Sequence, residues 1–210
     1  MIIHDCPQRG NVWRALRAGR ITGTSMKTMA NGTEAGIEKL CQRVADERKN
    51  GYAAKEGFTS AAMQRGIELE AEAREMFEIA YRRKVTGVGF WEMDDLIGCS
   101  PDGLFDYGGG VYGGGVEIKC PSRKIHERYL SEGRKAWQGS YWWQVVGSMW
   151  ATGRDYWYFV SYHPDLPAWE RLYVDAVHRM YLPNDVYSKL DAGAAYCRKR
   201  IAEIEENNDE

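Results

Sequence analysis

The chain has no CxxC pair, no long apolar run and no surplus of positive charge. Its five cysteines (Cys6, Cys41, Cys99, Cys120 and Cys197) are scattered and odd in number. That argues for a reducing cytoplasm and against a zinc ribbon or a cysteine-bound iron–sulfur cluster. No stretch reads as a signal peptide or a transmembrane span, so no membrane role is expected. The formal net charge of −2 means that any contact with nucleic acid must use a local basic surface. His126, His163 and His178 show no metal-binding spacing and are assigned no role. No repeat or low-complexity linker divides the 210 residues, which read as one domain, 1–210, long enough to bury a substantial core.

What is abundant is aromatic: eight tryptophans and thirteen tyrosines. Core packing is the leading reading for most of them; Trp137, Trp142, Trp143 and Trp150 are expected to build the core or a subunit interface rather than stack bases. The N-terminal part reads as a short helix, a turn at Gly19 and a second helix capped near Thr22 or Thr24. Ile37, Leu40, Cys41 and Val44 follow helical spacing over 36–49. A longer helix spans 60–82, with Met63, Ile67, Ala71, Ala73, Phe77 and Tyr81 on its inner side. Strands are expected near 85–91, 96–99, 102–106 and 115–120, followed by a helix near 122–130 and an aromatic helix over 137–151. Strands at 155–163 and 169–177 and a helix over 183–205 complete the pattern, with a frayed polar tail. The class is α/β, or α+β on a stricter reading, with helices flanking a mixed sheet.

The chemistry concentrates in residues 99–121, CSPDGLFDYGGGVYGGGVEIKCP. Strand residues two apart share a face, so Glu117 and Lys119 emerge together while Ile118 points the other way. A glycine-rich turn brings Asp102 back beside Glu117. The flanking Val116, Ile118 and Cys120 mark this strand as buried, where a charge is costly unless paired or bound to a cation. Magnesium takes oxygen ligands, often one or two carboxylates plus waters, and a neighbouring lysine can orient one of those waters. At its ordinary pKa of about 10.4 that lysine is better suited to orienting and stabilising charge than to acting as a base. An ordinary Glu–Lys ion pair on an exposed strand is the bland alternative. The glycine run reads as a flexible turn; no GK[ST] follows it to make a phosphate loop. The pattern resembles the PD-(D/E)xK nuclease motif, and the restriction-endonuclease-like core of that superfamily is the expected fold.

The resemblance extends further. WRALRAGRITGTS, RGIELEAEAREMFE, CSPDGL, GVEIKCP, YWWQVVGSMWATG and WYFVSYHP, in that order from about residue 11 to 165, resemble the lambda-type phage exonucleases of the viral-recombinase branch. This implies a magnesium-dependent enzyme that digests one strand of linear duplex DNA in the 5′→3′ direction to mononucleotides. It would leave 3′ overhangs for recombination by strand annealing. Two Mg2+ ions are implied, with Mn2+ a substitute. A toroidal homotrimer, a single-strand annealing partner and a phage or prophage origin in a bacterial cytoplasm follow from the same resemblance.

Residue by residue, the resemblance makes Asp102, Glu117 and the Ile118 carbonyl metal ligands and Lys119 the catalytic lysine. Asp102 is preferred to Asp106 because SPDG carries the pattern. Glu70 would help hold the second ion and Gln144 would complete the site. Without the resemblance, Glu70 reads as part of a solvated acidic helix face. Arg17 falls where a base meets the terminal 5′ phosphate, and Thr24 could add a hydrogen bond there or cap a helix. Met63 could wedge between the last paired bases, although core packing is the commoner use of a methionine. Arg43, Arg48, Lys49 and Lys55 are candidates for gripping duplex phosphates, or simply a solvated surface. The alternatives are an endonuclease or junction-cleaving enzyme of the same fold, or a catalytically silent DNA-binding protein.

Overall fold

The computed structural model describes residues 1–53, 60–106 and 113–209. Among these, the helices are α1 (Asn11–Arg17), α2 (Met26–Asn31), α3 (Glu34–Asn50), α4 (Ala61–Tyr81), α5 (Arg123–Glu132), α6 (Arg134–Thr152) and α7 (Asp185–Asp209). The strands are β1 (Ile2–His4), β2 (Phe90–Glu92), β3 (Gly98–Cys99), β4 (Gly103–Asp106), β5 (Gly113–Lys119), β6 (Tyr156–Tyr162) and β7 (Leu172–His178). Strands β1, β2 and β3 form a small antiparallel sheet. The principal sheet runs β4–β5–β6–β7, with β5 and β6 parallel and the outer pairings antiparallel. The mixed α/β class expected from the sequence is therefore present.

Side-chain alternation divides the principal sheet into two packed faces. Val116, Ile118, Tyr158, Val160 and Tyr162 join Ala73 and Phe77 of α4 in one apolar cluster. Trp157, Phe159 and Val177 face the larger core, built with α2, α3, α6 and α7. Trp137 is fully buried and stacks on Phe159 at 4.2 Å, while Trp142, Trp143 and Trp150 pack partly buried on the same core. Packing is thus the principal use of these indoles, as expected.

Several local expectations change. The segment near 85–91 contributes strand only from Phe90; Thr86 makes an isolated bridge to Leu104. Conversely, the end of the glycine run is strand: β5 begins at Gly113. Its glycines are needed because the Phe105 and Trp157 rings occupy the space that Cβ atoms on Gly114 and Gly115 would take. Residues 108–112 of that run lie outside the described residues. On α4, Ala73 and Phe77 are buried, but Met63, Ala71 and Tyr81 are exposed. The C-terminal helix continues through Asp209 instead of fraying after 205. Before α2 the chain makes a 3-10 turn, Gly23–Ser25, and neither Thr22 nor Thr24 supplies a capping side chain.

Candidate active site

The site forms where β5, one of the sheet's two interior strands, lies between β4 and β6. Because Val116 and Ile118 face α4, Glu117 and Lys119 project toward α6, which carries Tyr141 and Gln144 at one-turn spacing. Glu117 is 1% exposed. Gln144 Nε2 donates to Glu117 Oε1 at 2.5 Å, and Lys119 Nζ pairs with that same oxygen. The Tyr141 ring lies 5.3 Å from Lys119 Nζ, so the ammonium is also held by an aromatic face.

Asp102 enters from the start of β4. Gly103 pairs with Val116, so one further step sets Asp102 opposite Glu117. Its Oδ2 accepts the Ile118 amide N–H at 2.6 Å. The Ile118 amide N–H is thus the group engaged with Asp102. Asp106 pairs across β4–β5 with Gly113 and binds Arg154 Nη1 at 2.8 Å, four strand positions from Glu117.

Glu70 approaches from α4. Its Oε1 accepts from Arg74 Nη2 at 3.0 Å, and Arg9 Nη2 lies 3.6 Å from Oε2. It is half-buried, so the solvated-face reading does not describe it. Burial pushes its carboxyl up, the Asp102 charge adds to this, and Arg74, Arg9 and Lys119 oppose it. Burial likewise pushes Glu117 up to about 7; Lys119 pulls it down, while the Asp102 and Glu70 charges add to the rise. Burial draws Lys119 downward, but the Glu117 and Asp102 carboxylates outweigh it and hold the ammonium above the usual lysine range. That is opposite to the depression a lysine base needs at neutral pH.

The Asp102 charge therefore disfavours ionisation of Glu70 and Glu117 in one partly desolvated place. An oxygen-loving divalent cation fits that donor chemistry. Among the described residues, no three His, Cys, Asp or Glu side chains are already gathered tightly enough to hold an ion. Glu70 would join a cation only by exchanging part of its present contacts with Arg74 and Arg9.

The remaining expected residues are distributed around this centre. The Arg17 guanidinium lies 4.2 Å above the Trp13 ring, whose indole N–H donates to Ser100 Oγ at 2.7 Å. Arg17 is thereby tied to the SPDG segment that carries Asp102. Thr24 is exposed in the 3-10 turn, which packs against α6; a Cβ on Gly23 would meet Gln144 Cγ at 3.4 Å. Met63 is 58% exposed, so core packing does not account for it.

The basic segment is largely committed elsewhere. Arg43 binds both oxygens of Glu47 at 2.8 Å, and Arg48 donates to Gly19 O at 3.1 Å. Lys55 lies outside the described residues. His126 is equally structural, bonding Ser161 Oγ at 2.7 Å and Glu170 O at 2.8 Å. Arg9, Arg74 and Tyr141 were not anticipated. Arg74 follows Glu70 at i+4 and Tyr141 precedes Gln144 by three, both legible as helical neighbours. The long-range approach of Arg9 left no such pattern.

Comparison with known proteins identifies the fold and the family. The chain is similar to an alkaline exonuclease from Laribacter hongkongensis, at 28% identity and a TM-score of 0.77 over 95% of this chain and 98% of that one. The same figures hold for that exonuclease in complex with dAMP. A phage related exonuclease from Haemophilus somnus 129PT shares the fold at 15% identity, with a TM-score of 0.68 over 90% and 96% of the two chains. No curated protein matches the chain. The architecture is the PD-(D/E)xK-like fold of alkaline exonucleases. The model of the YqaJ-like viral recombinase domain matches residues 12–155, a span holding Arg17, Glu70, Asp102, Glu117, Lys119 and Gln144, and the chain belongs to that family.

Proposed function

We propose that residues 1–210 form one nuclease domain, a magnesium-dependent 5′→3′ exonuclease acting on linear double-stranded DNA. It releases mononucleotides and leaves 3′ overhangs for recombination by strand annealing. The observation that carries this reading is the buried Glu117, held by Lys119 and Gln144 opposite Asp102 and electrostatically linked to Glu70. Family membership supports a nuclease, and the dAMP complex of the Laribacter relative supports a mononucleotide-sized product.

Asp102, Glu117, Glu70 and the Ile118 carbonyl are the groups that would hold two Mg2+ ions, with Mn2+ able to replace them. Bound there, the ions would supply Lewis-acid stabilisation of the phosphate and a polarised water for in-line attack. Lys119, charged at neutral pH, orients that water and stabilises negative charge developing at phosphorus. Gln144 fixes the Glu117 carboxylate. Arg17, on its Trp13 platform, receives the terminal 5′ phosphate, and the Thr24 hydroxyl adds a hydrogen bond. Met63, exposed on α4, presses on the last base pair in this reading.

The working form in this reading is a ring-shaped homotrimer around DNA, acting beside an annealing protein in the cytoplasm of a phage-infected or prophage-bearing bacterium. Exposed Trp169, Met180 and Tyr181 (80%, 74% and 79%) offer apolar surface for contact between copies. Among the described residues, no helix is long and apolar enough to cross a membrane.

The test is digestion of a linear duplex labelled separately at each 5′ and 3′ end, with Mg2+, beside a closed circle and the Glu117→Ala variant. Mononucleotides from 5′ ends, an intact circle and an inactive variant are expected. Cutting of the circle would replace this reading with an endonuclease; no cleavage of either substrate would leave a DNA-binding protein.

A further inference from the structure

The turn Pro7–Gly10, ahead of α1, is held against the carboxylate site more firmly than its exposure requires. Gly10 N–H donates to Pro7 O at 3.2 Å, closing the turn. The Gln8 side-chain amide donates both to Val88 O at 2.8 Å and to Pro101 O at 2.9 Å, clamping it to the segment that precedes Asp102. On the other side, Gly89 has no Cβ because the Cys6 backbone and sulfur fill that space. Within this clamp Arg9 adopts φ +66°, a left-handed conformation unfavourable for any side-chain-bearing residue but Asn or Asp.

The Arg9 side chain gains little within the fold to offset that strain. It is 44% exposed, and its closest ionic contact is the 3.6 Å approach to Glu70 Oε2. Glu70 is already hydrogen-bonded by Arg74 at 3.0 Å. Strain that the surroundings enforce, and that a local contact does not repay, gathers where a side chain must be aimed. Arg9 is aimed at the carboxylates, and a guanidinium's planar fork matches the paired oxygens of a phosphodiester.

We propose that Arg9 is a DNA-binding residue of this site. When Glu70 turns toward a cation, the Arg9 guanidinium takes two non-bridging oxygens of a backbone phosphate in the strand seated at Asp102 and Glu117. This rests on the nuclease reading and adds to it a phosphate contact from the N-terminal turn. A ground-state contact of this kind changes affinity and KM, with kcat little altered.

The experiment compares Arg9→Gly and Arg9→Lys with the parent full-length chain. Affinity for a 5′-phosphorylated duplex is read by fluorescence anisotropy with Ca2+, hydrolysis is followed with Mg2+, and thermal melting is recorded without DNA. Glycine relieves the left-handed strain, so Arg9→Gly should melt no lower than the parent. Its DNA dissociation constant and KM should each rise about tenfold, as for loss of a charge-assisted phosphate contact. Arg9→Lys should recover part of that affinity.

Unchanged affinity in Arg9→Gly would overturn the proposal. So would a loss that saturating cation restores, since Arg9 would then act only through Glu70. A lowered melting point would make it a structural partner of Glu70 and overturn it as well. A parent that hydrolyses no DNA would remove the nuclease reading and this proposal together, whereas a cleaving parent with an unaffected variant removes this proposal alone.

Discussion

Glu117 and Asp175 lie in the same cross-strand row, on either side of Phe159, and both are served by α6. Asp175 is bound at both oxygens: Arg134 Nη2 reaches Oδ1 at 2.6 Å, and Arg134 Nε and Trp137 Nε1 reach Oδ2 at 2.9 and 3.0 Å. At Glu117, by contrast, Lys119 and Gln144 converge on Oε1, and neither reaches Oε2. The first arrangement is a bidentate, guanidinium-matched lock. The second holds a more deeply buried carboxylate by one oxygen, close to the charges of Asp102 and Glu70. The same helix thus completes a fixed joint at its N-terminal end and, roughly two to three turns later, a carboxylate left with coordinating capacity. Saturation, more than burial alone, separates Asp175 from Glu117, the carboxylate proposed for catalysis.

The strongest challenge to that contrast is Lys119→Ala. If the Glu117 row is catalytic, hydrolysis should fall by on the order of a thousandfold, as when a transition-state electrostatic donor is removed. Duplex affinity measured with Ca2+ should stay near the parent's. A loss of binding equal to the loss of cleavage would make Lys119 a DNA anchor and leave Glu117 without its assigned chemistry.

At the other end of the row the signs should reverse. Asp175→Ala removes the acceptor of Arg134 and Trp137, and should cost about 2 kcal/mol, since Arg134 is 40% exposed and can recover water. In a protein of this size that lowers the melting temperature by roughly 4–8 °C. Hydrolysis per folded molecule should remain that of the parent. Collapse of activity without loss of stability would erase the distinction between the two carboxylates.

The two ends also differed in how far they could be read beforehand. Asp102, Glu117 and Lys119 could be placed because strand alternation and the pairing of consecutive strands are local rules, and the structure does bring them together. By local pattern alone Glu70 looked like one acid on a solvated face, and only the family resemblance drew it into the site; its interaction with Asp102, distant in sequence, leaves no local signal. The Asp175 lock was invisible, since Arg134 and Asp175 are joined by packing of α6 on β7 rather than by spacing. Gly113 and Gly114 read as turn because nothing local reveals that Phe105 fills the missing Cβ space at Gly114. Strand β1 escaped notice because its three residues are held by backbone pairing with β2, while Ile2 and Ile3 remain exposed.

Met63 carries the contrast to a side chain that the fold leaves largely unburied. A buried methionine cut back to alanine costs about 2–5 kcal/mol through lost contacts and a cavity. At 58% exposure on the first turn of α4, Met63 has little to lose, so Met63→Ala should alter stability by less than about 0.5 kcal/mol. If the side chain presses on the last base pair, the cost appears elsewhere: digestion of a blunt duplex should start roughly threefold more slowly, because an apolar wedge offsets part of the unstacking energy. A duplex whose terminal pairs are mismatched needs no such help and should be digested at the parental rate. Equal slowing on both substrates would place Met63 in general DNA contact, and a large stability loss would return it to the packing role that its exposure contradicts.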